Sequence, residues 1–145
     1  MIDYLIVIHA GVGEEAGGGA QGSDAIWSHR WNLGGLYPIE GTEYTDENGN
    51  TRPYYAYDYT IEPEDGAAGV FCHEFGHDLG APDEYDTIYS SASSEPVAFW
   101  SLMSSGSWGG AIPGTEPTGI SPYSRQLFQN IYDGRWQNQT VIDYS

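Results

Sequence analysis

The stretch from His73 to Asp86, His-Glu-Phe-Gly-His-Asp-Leu-Gly-Ala-Pro-Asp-Glu-Tyr-Asp, constrains this chain more than any other. It asks for a helix with a fixed end. Glu62-Pro63-Glu64-Asp65 comes just before, with acids that complement the positive end of a helix dipole and Asp65 as candidate N-cap. The pattern predicts a helix from Gly66 to Leu79. Phe71, Phe75 and Leu79 recur at i, i+4 and i+8 and predict a core stripe. Gly80 is a natural C-terminal stop, and Pro82 cannot easily continue the helix. Inside this helix His73 and His77 stand four apart, so both imidazoles project from one face. That spacing suits two neighbouring ligands of a tetrahedral Zn2+, at about 2.0–2.1 Å. Glu74 lies about 100° further round the helix. From there it can reach a metal-activated water without being a ligand, and act as general base.

A catalytic zinc takes a third protein ligand and keeps one position open. Gly80 lets the backbone turn back, and Asp83 then completes His-Glu-x-x-His-x-x-Gly-x-x-Asp. Spacing favours Asp83 as third ligand. Glu84 is its rival, one residue on and with a longer side chain. Glu95 is a more distant candidate, but it precedes Pro96 in a Ser-rich segment, a poor place for a helix. The pattern with Asp83 resembles the metzincins, where His or occasionally Asp fills that slot. Ser101-Leu102-Met103-Ser104-Ser105-Gly106 resembles the Met-containing turn of the same group, with Met103 as an apolar floor beneath the ligands. The Tyr that some metzincins carry two residues after that Met is absent, since Ser105 stands there.

The rest of the chain reads as α+β. Residues 3–9 are an apolar, β-branched run and predict a buried strand. Residues 11–22 hold six glycines. No Lys follows them and Glu14 and Glu15 sit among them, so this is not a phosphate cradle. Residues 24–40 mix Trp27, Trp31 and Tyr37 with Gly34, Gly35 and Pro38 and predict irregular structure with short extended pieces. Asn48-Gly49 predicts a tight turn, and Tyr54 to Ile61 a second strand. Residues 86–121 predict mainly loop. Ser121-Pro122 is an N-cap with Pro at the first helical position. Leu127 with Ile131 and Phe128 with Tyr132 give that helix its i, i+4 pairs, and Gly134 closes it.

Charge narrows the possible partners. The chain has four Arg, no Lys and 21 acids, a net charge of -17. Phosphates would be repelled, which excludes nucleic-acid binding by bulk electrostatics and a polybasic membrane anchor. No apolar run approaches the roughly 20 residues that span a bilayer. Leu, Ile, Val and Phe together are only 26 of 145 residues, but 5 Trp and 12 Tyr supply the bulk for a folded core. The acids also suggest cations. Glu14, Glu15 and Asp24 are the foremost candidates for Ca2+, though they match no EF-hand loop. Asp78 and Asp86 are candidates to orient a ligand imidazole through its second nitrogen. Tyr85, Tyr123 and Trp108 are candidates to line a substrate cleft. His9 and His29 read as structural. Cys72 reads as a small buried side chain on another face, and as the lone Cys it permits no intrachain disulfide. Met1 to Ile8, with Asp3 and no basic start, is no signal peptide.

Five segments together resemble one family closely, the immune inhibitor A group of bacterial secreted metallopeptidases. They are residues 9–19, 24–30, 57–64, 73–87 and 100–108. The resemblance implies a zincin or metzincin-like catalytic domain with twisted sheet, active-site helix, Met-turn and C-terminal helix. It implies an extracellular zinc endopeptidase acting on polypeptides, with structural calcium allowed. Family catalytic domains are longer than this chain and flanked by propeptide and accessory domains. Residues 1–145 are therefore expected to be one catalytic domain, N-terminally truncated. On the residues, the expectation is Zn2+ on His73, His77 and Asp83 with Glu74 as base. The competing expectation is a peptidase-domain fragment that binds zinc or calcium without turnover.

Overall fold

The computed structural model describes residues 4–88 and 95–131. The chain divides into two compact units, Met1–Gly66 and Ala67–Ser145. The first carries the strands and the second the helices, which is the segregation of an α+β fold.

In the first unit, β1 (Ile6–His9), β2 (His29–Pro38), β3 (Tyr44–Thr45), β4 (Thr51–Arg52) and β5 (Tyr55–Pro63) follow in order. The main sheet runs β1-β5-β2, with β1 parallel and β2 antiparallel to the central β5. The apolar start is a strand, as expected, but not a buried one. Ile6 and Ile8 are 48% and 51% exposed. β1 is an edge strand, and no α-helix among the described residues of this unit lies over it.

The irregular reading of residues 24–40 is also corrected, because β2 is ten residues long. Gly34 and Gly35 concealed it. They mark a shift in register between Asn32 and Tyr37, and Gly34 has φ +72°. A bulge of this kind admits glycine without ending the strand. The Asn48-Gly49 turn forms between β3 and β4. Its anchor is Asp46, whose carbonyl accepts from Gly49 N at 2.9 Å and whose carboxylate accepts from Asn48 N, Asn50 N and Arg52 Nε.

In the second unit, α1 spans Ala68–Asp78 and α2 spans Pro122–Ile131. Asp65 is not the cap of α1. Ala67 holds that position and offers no side-chain bond. Tertiary contact replaces the cap: Gly69 N donates to the Gly114 carbonyl at 2.8 Å. A Cβ on Gly69 would come within 1.8 Å of the Ser107 carbonyl oxygen, so the first turn needs glycine to lie against the loop.

Of the predicted stripe on α1, only Leu79 packs against the core. Phe75 is 37% exposed and Phe71 half-buried, while Gly69, Val70, Glu74 and Gly76 are buried. Gly76 is the reason. Met103, fully buried, sits where a Cβ on Gly76 would be, 2.5 Å from its sulfur. Gly80 ends the helix as expected, at φ +101°. Its N–H donates to the His77 carbonyl at 2.9 Å and Ala81 N to that of Gly76 at 2.9 Å, the paired bonds of a Schellman turn.

Ala81, Leu102, Met103 and Phe128 form the core of this unit, with Leu79 and Ile120 against it. α2 begins as its sequence predicts: Ser121 Oγ accepts from Ser124 N at 3.0 Å. Tyr132 and Gly134, assigned to the end of this helix, lie outside the described residues. Among its described residues the connection between the helices is mostly loop, as expected, with 3-10 turns at Ala98–Trp100 and Ser105–Trp108. No helix among the described residues is long and apolar enough to cross a membrane.

Candidate metal centre

The centre is built from one helix, one turn and one loop. α1 presents His73 and His77, whose rings meet edge to face with centroids 4.8 Å apart. The Schellman turn at Gly80 reverses the chain and brings Asp83 back over them. Asp83 Oδ1 lies 3.2 Å from His73 Nε2 and 3.2 Å from His77 Nε2. These three residues are the one group among the described residues in which three or more His, Cys, Asp or Glu converge closely enough to hold a metal ion.

The donor set fits zinc. Two imidazole nitrogens and a carboxylate oxygen are the ligands it takes, and ligand atoms about 2.0–2.1 Å from a tetrahedral centre stand about 3.3 Å apart. The second nitrogens are already engaged. His73 Nδ1–H donates to the Leu102 carbonyl at 2.9 Å, and His77 Nδ1–H to the Ala81 carbonyl at 2.8 Å. Each Nε2 is thereby turned toward Asp83. Backbone carbonyls thus take the orienting role that the sequence offered to Asp78 and Asp86.

Electrostatics couple the three groups. Burial opposes charge on His77, but the bonds to Asp83 and the Ala81 carbonyl, with the charges of Asp83 and Glu74, outweigh it and hold its pKa above the ordinary 6.5. Burial likewise works against the Asp83 carboxylate. The hydrogen bonds and charges of His73 and His77 more than reverse that, leaving its pKa well below the usual carboxylate range. Glu74 is buried in the same helix, one residue from His73.

Glu84, the rival third ligand, points elsewhere. Its Oε1 accepts from Ser121 Oγ and Ser124 Oγ, both at 2.6 Å, at the start of α2. Glu95 is occupied too: its Oε2 accepts from Ser104 Oγ and Ser105 Oγ at 2.8 Å, on the loop that carries Met103. That loop is drawn tight. Ser101 Oγ accepts from Met103 N at 3.1 Å, and the Met103 carbonyl accepts from Glu84 N at 2.7 Å. The packing of Met103 against Gly76 was missed from the sequence. Its signal was a glycine inside a helix, which costs about 1 kcal/mol against alanine and marks close packing.

Other expected residues are placed as follows. Tyr85 stacks on His73, with centroids 6.2 Å apart and planes at 22°. It lines a groove of about 520 Å3 beside Asp83, with Pro96, Val97, Pro122 and Tyr123. Trp108 does not line that groove. Cys72 is exposed, not buried, because it lies on the open side of α1. Glu14, Glu15 and Asp24 do not gather into a three-carboxylate site. Glu15 instead accepts from the Ser28 backbone N–H at 3.0 Å and from its hydroxyl. His29 is structural, its Nδ1 on the Trp27 carbonyl at 2.7 Å and its ring edge-on to Tyr59.

Comparison with known proteins gives a consistent picture. The family profile described as "Immune inhibitor A peptidase M6, catalytic domain" matches residues 1–137. The chain is 56% identical over 142 residues to the pre-pro-metalloprotease PrtV of Vibrio cholerae serotype O1, covering 98% of this chain and 15% of that protein. It is 53% identical over 150 residues to immune inhibitor A of Bacillus thuringiensis subsp. alesti, covering 99% of this chain and 21% of that protein. The chain therefore spans about a sixth to a fifth of the length of these relatives.

Proposed function

Because the chain belongs to the immune inhibitor A (M6) peptidase family, we propose that it is the metal-binding part of a zinc endopeptidase of the metzincin type. The observation that carries the reading is the position of Asp83 Oδ1, 3.2 Å from both imidazole Nε2 atoms. His73, His77 and Asp83 would hold Zn2+. The buried Met103 beneath Gly76 supports the Met-turn assignment. Both compact units are taken as parts of one catalytic domain, since the family match runs from residue 1 to 137.

Bound zinc would supply Lewis acidity, lowering the pKa of a water and polarising the scissile carbonyl. The chain's own residues do the rest. The Leu102 and Ala81 carbonyls hold both imidazoles in orientation. Glu74 takes the proton of the attacking water on its carboxylate and delivers it to the leaving nitrogen. The groove lined by Tyr85, Pro96, Val97, Pro122 and Tyr123 offers apolar walls for a substrate side chain. Substrates are polypeptides. The relatives' names, a pre-pro-metalloprotease and an immune inhibitor, support action outside the cell.

The test pairs bound-zinc analysis with casein proteolysis for the unaltered chain and Glu74→Gln. The expected result is equal zinc in both and loss of about 10²–10⁴-fold in activity in the variant, the usual contribution of a general base. Equal activity would remove Glu74 from that role. Zinc bound without any turnover by the unaltered chain would favour a non-catalytic metal-binding module.

A further inference from the structure

Asp83 is poorly held by its own contacts. Among the described residues its carboxylate has only the two imidazoles as hydrogen-bond partners. Its side chain is 27% exposed and lies in a segment without regular structure. Something else must set its position within the few tenths of an ångström that a metal ligand requires.

The next residue is held far more firmly. Glu84 Oε1 accepts two hydroxyl bonds, from Ser121 and Ser124, whose residues are 5% and 0% exposed. Short bonds from hydroxyls to a carboxylate are charge-assisted and stronger than neutral ones. Ser121 Oγ also accepts from Ser124 N, so its proton is committed to Glu84 while its lone pair caps α2. On the backbone side, Glu84 N donates to the Met103 carbonyl at 2.7 Å. Residue 84 is therefore tied to the N-terminus of α2 and to the turn under the metal centre. The same turn holds His73 through the Leu102 carbonyl.

We propose that Glu84 is a positioning residue for the metal centre: its clamp on Ser121 and Ser124 places the adjacent Asp83 carboxylate opposite His73 and His77. The inference rests on the reading of those three residues as metal ligands. Asp83 binds, and Glu84 fixes where it binds. Glu84 is not one of the three converging ligands, although with Ser121 it also lines the groove beside Asp83. The clamp also makes the start of α2 part of the centre, although α2 contributes no ligand.

The test measures Zn2+ affinity by chelator competition and the visible spectrum of the Co2+-loaded protein, using the whole chain. The variants are Glu84→Ala, Glu84→Gln, the double variant Ser121→Ala/Ser124→Ala, and Asp83→Ala. Phe128→Leu serves as a control that lowers stability without touching the clamp. Glu84→Ala and the serine pair should weaken Zn2+ binding about tenfold or more and move the Co2+ spectrum toward that of Asp83→Ala. Glu84→Gln keeps a carbonyl oxygen for both hydroxyls and should stay within a few-fold of the unaltered chain. Unchanged affinity and spectrum in both Glu84→Ala and the serine pair would overturn the proposal. So would an equal loss in Phe128→Leu at matched melting temperature, since the effect would then be general destabilisation. If Glu84→Ala does not fold, the serine pair decides alone. If Asp83→Ala binds zinc as tightly as the unaltered chain, the ligand reading itself fails, and the positioning role falls with it.

Discussion

The two helices of the second unit are held in opposite ways. α2 carries its own instructions: a serine cap bonded to Ser124 N, a proline in the first turn and Phe128 at 1% exposure in the core. α1 carries almost none. It has no side-chain cap, two of its four buried residues are glycines, and its first turn is satisfied by the Gly114 carbonyl. A helix stabilised by its neighbours' backbone leaves its side chains free for chemistry. The difference separates a structural helix from the one that presents His73 and His77 within one small core.

That contrast can be broken. Phe128→Ala should cost about 3–5 kcal/mol, the range for deleting a large buried ring, measured by denaturant unfolding. A loss under about 1 kcal/mol would mean α2 is not the anchor assigned to it. Gly69→Ala tests α1. On propensity alone it should gain about 1 kcal/mol. The clash with the Ser107 carbonyl predicts the opposite sign, a net loss of about 1–3 kcal/mol from overpacking. A gain would show that α1 obeys its propensity after all.

Acidity should weaken the centre on α1 and leave α2 alone. With the His77 pKa raised, protons compete with metal at that ring as pH falls through the raised value. Zn2+ affinity should then fall about tenfold per pH unit for each proton displaced. A chelator titration from pH 8 to 5.5 checks it, and a flat profile would contradict the linkage. In the metal-free protein the sign reverses for His77. Its pairing with Asp83 stabilises fully below 6.5 and is lost as pH rises through the raised pKa. The depressed Asp83 contributes above its ordinary 3.8 and is lost at lower pH. The melting-temperature gain from zinc should therefore widen as pH rises past the His77 pKa. Ser121→Ala removes both the cap and one hydroxyl bond to Glu84, and should lower stability by about 1–3 kcal/mol. Thermal melts that move no more for it than for an exposed Ser23→Ala would deny the cap its importance.

The parts of this molecule that the sequence made legible are those encoded by neighbours. Ser121-Pro122, Gly80 and Asn48-Gly49 each act through bonds spanning two to five residues, and each appears where its residues predict. His73, His77 and Asp83 also converge as their spacing suggests. What stayed hidden depends on residues distant in the chain. Gly76 looks like a weak point in a helix until Met103 is seen against it. Spacing favoured Asp83 but left Glu84 as its rival, because the hydroxyls that draw Glu84 away lie 37 and 40 residues on. β2 was obscured by its own bulge. The acids of the glycine-rich loop, offered as calcium ligands, do not converge, and Glu15 shows why: its carboxylate turns back to fix Ser28.

The reversal at Gly80 also reaches into imidazole chemistry. The Schellman turn that ends α1 places the Ala81 carbonyl against His77 Nδ1. A neutral histidine has two tautomers, and only one leaves Nε2 free to bind metal. Here the choice between them is made by the length of a helix. One more turn of α1 would carry the Ala81 carbonyl away and release the ring to its other tautomer.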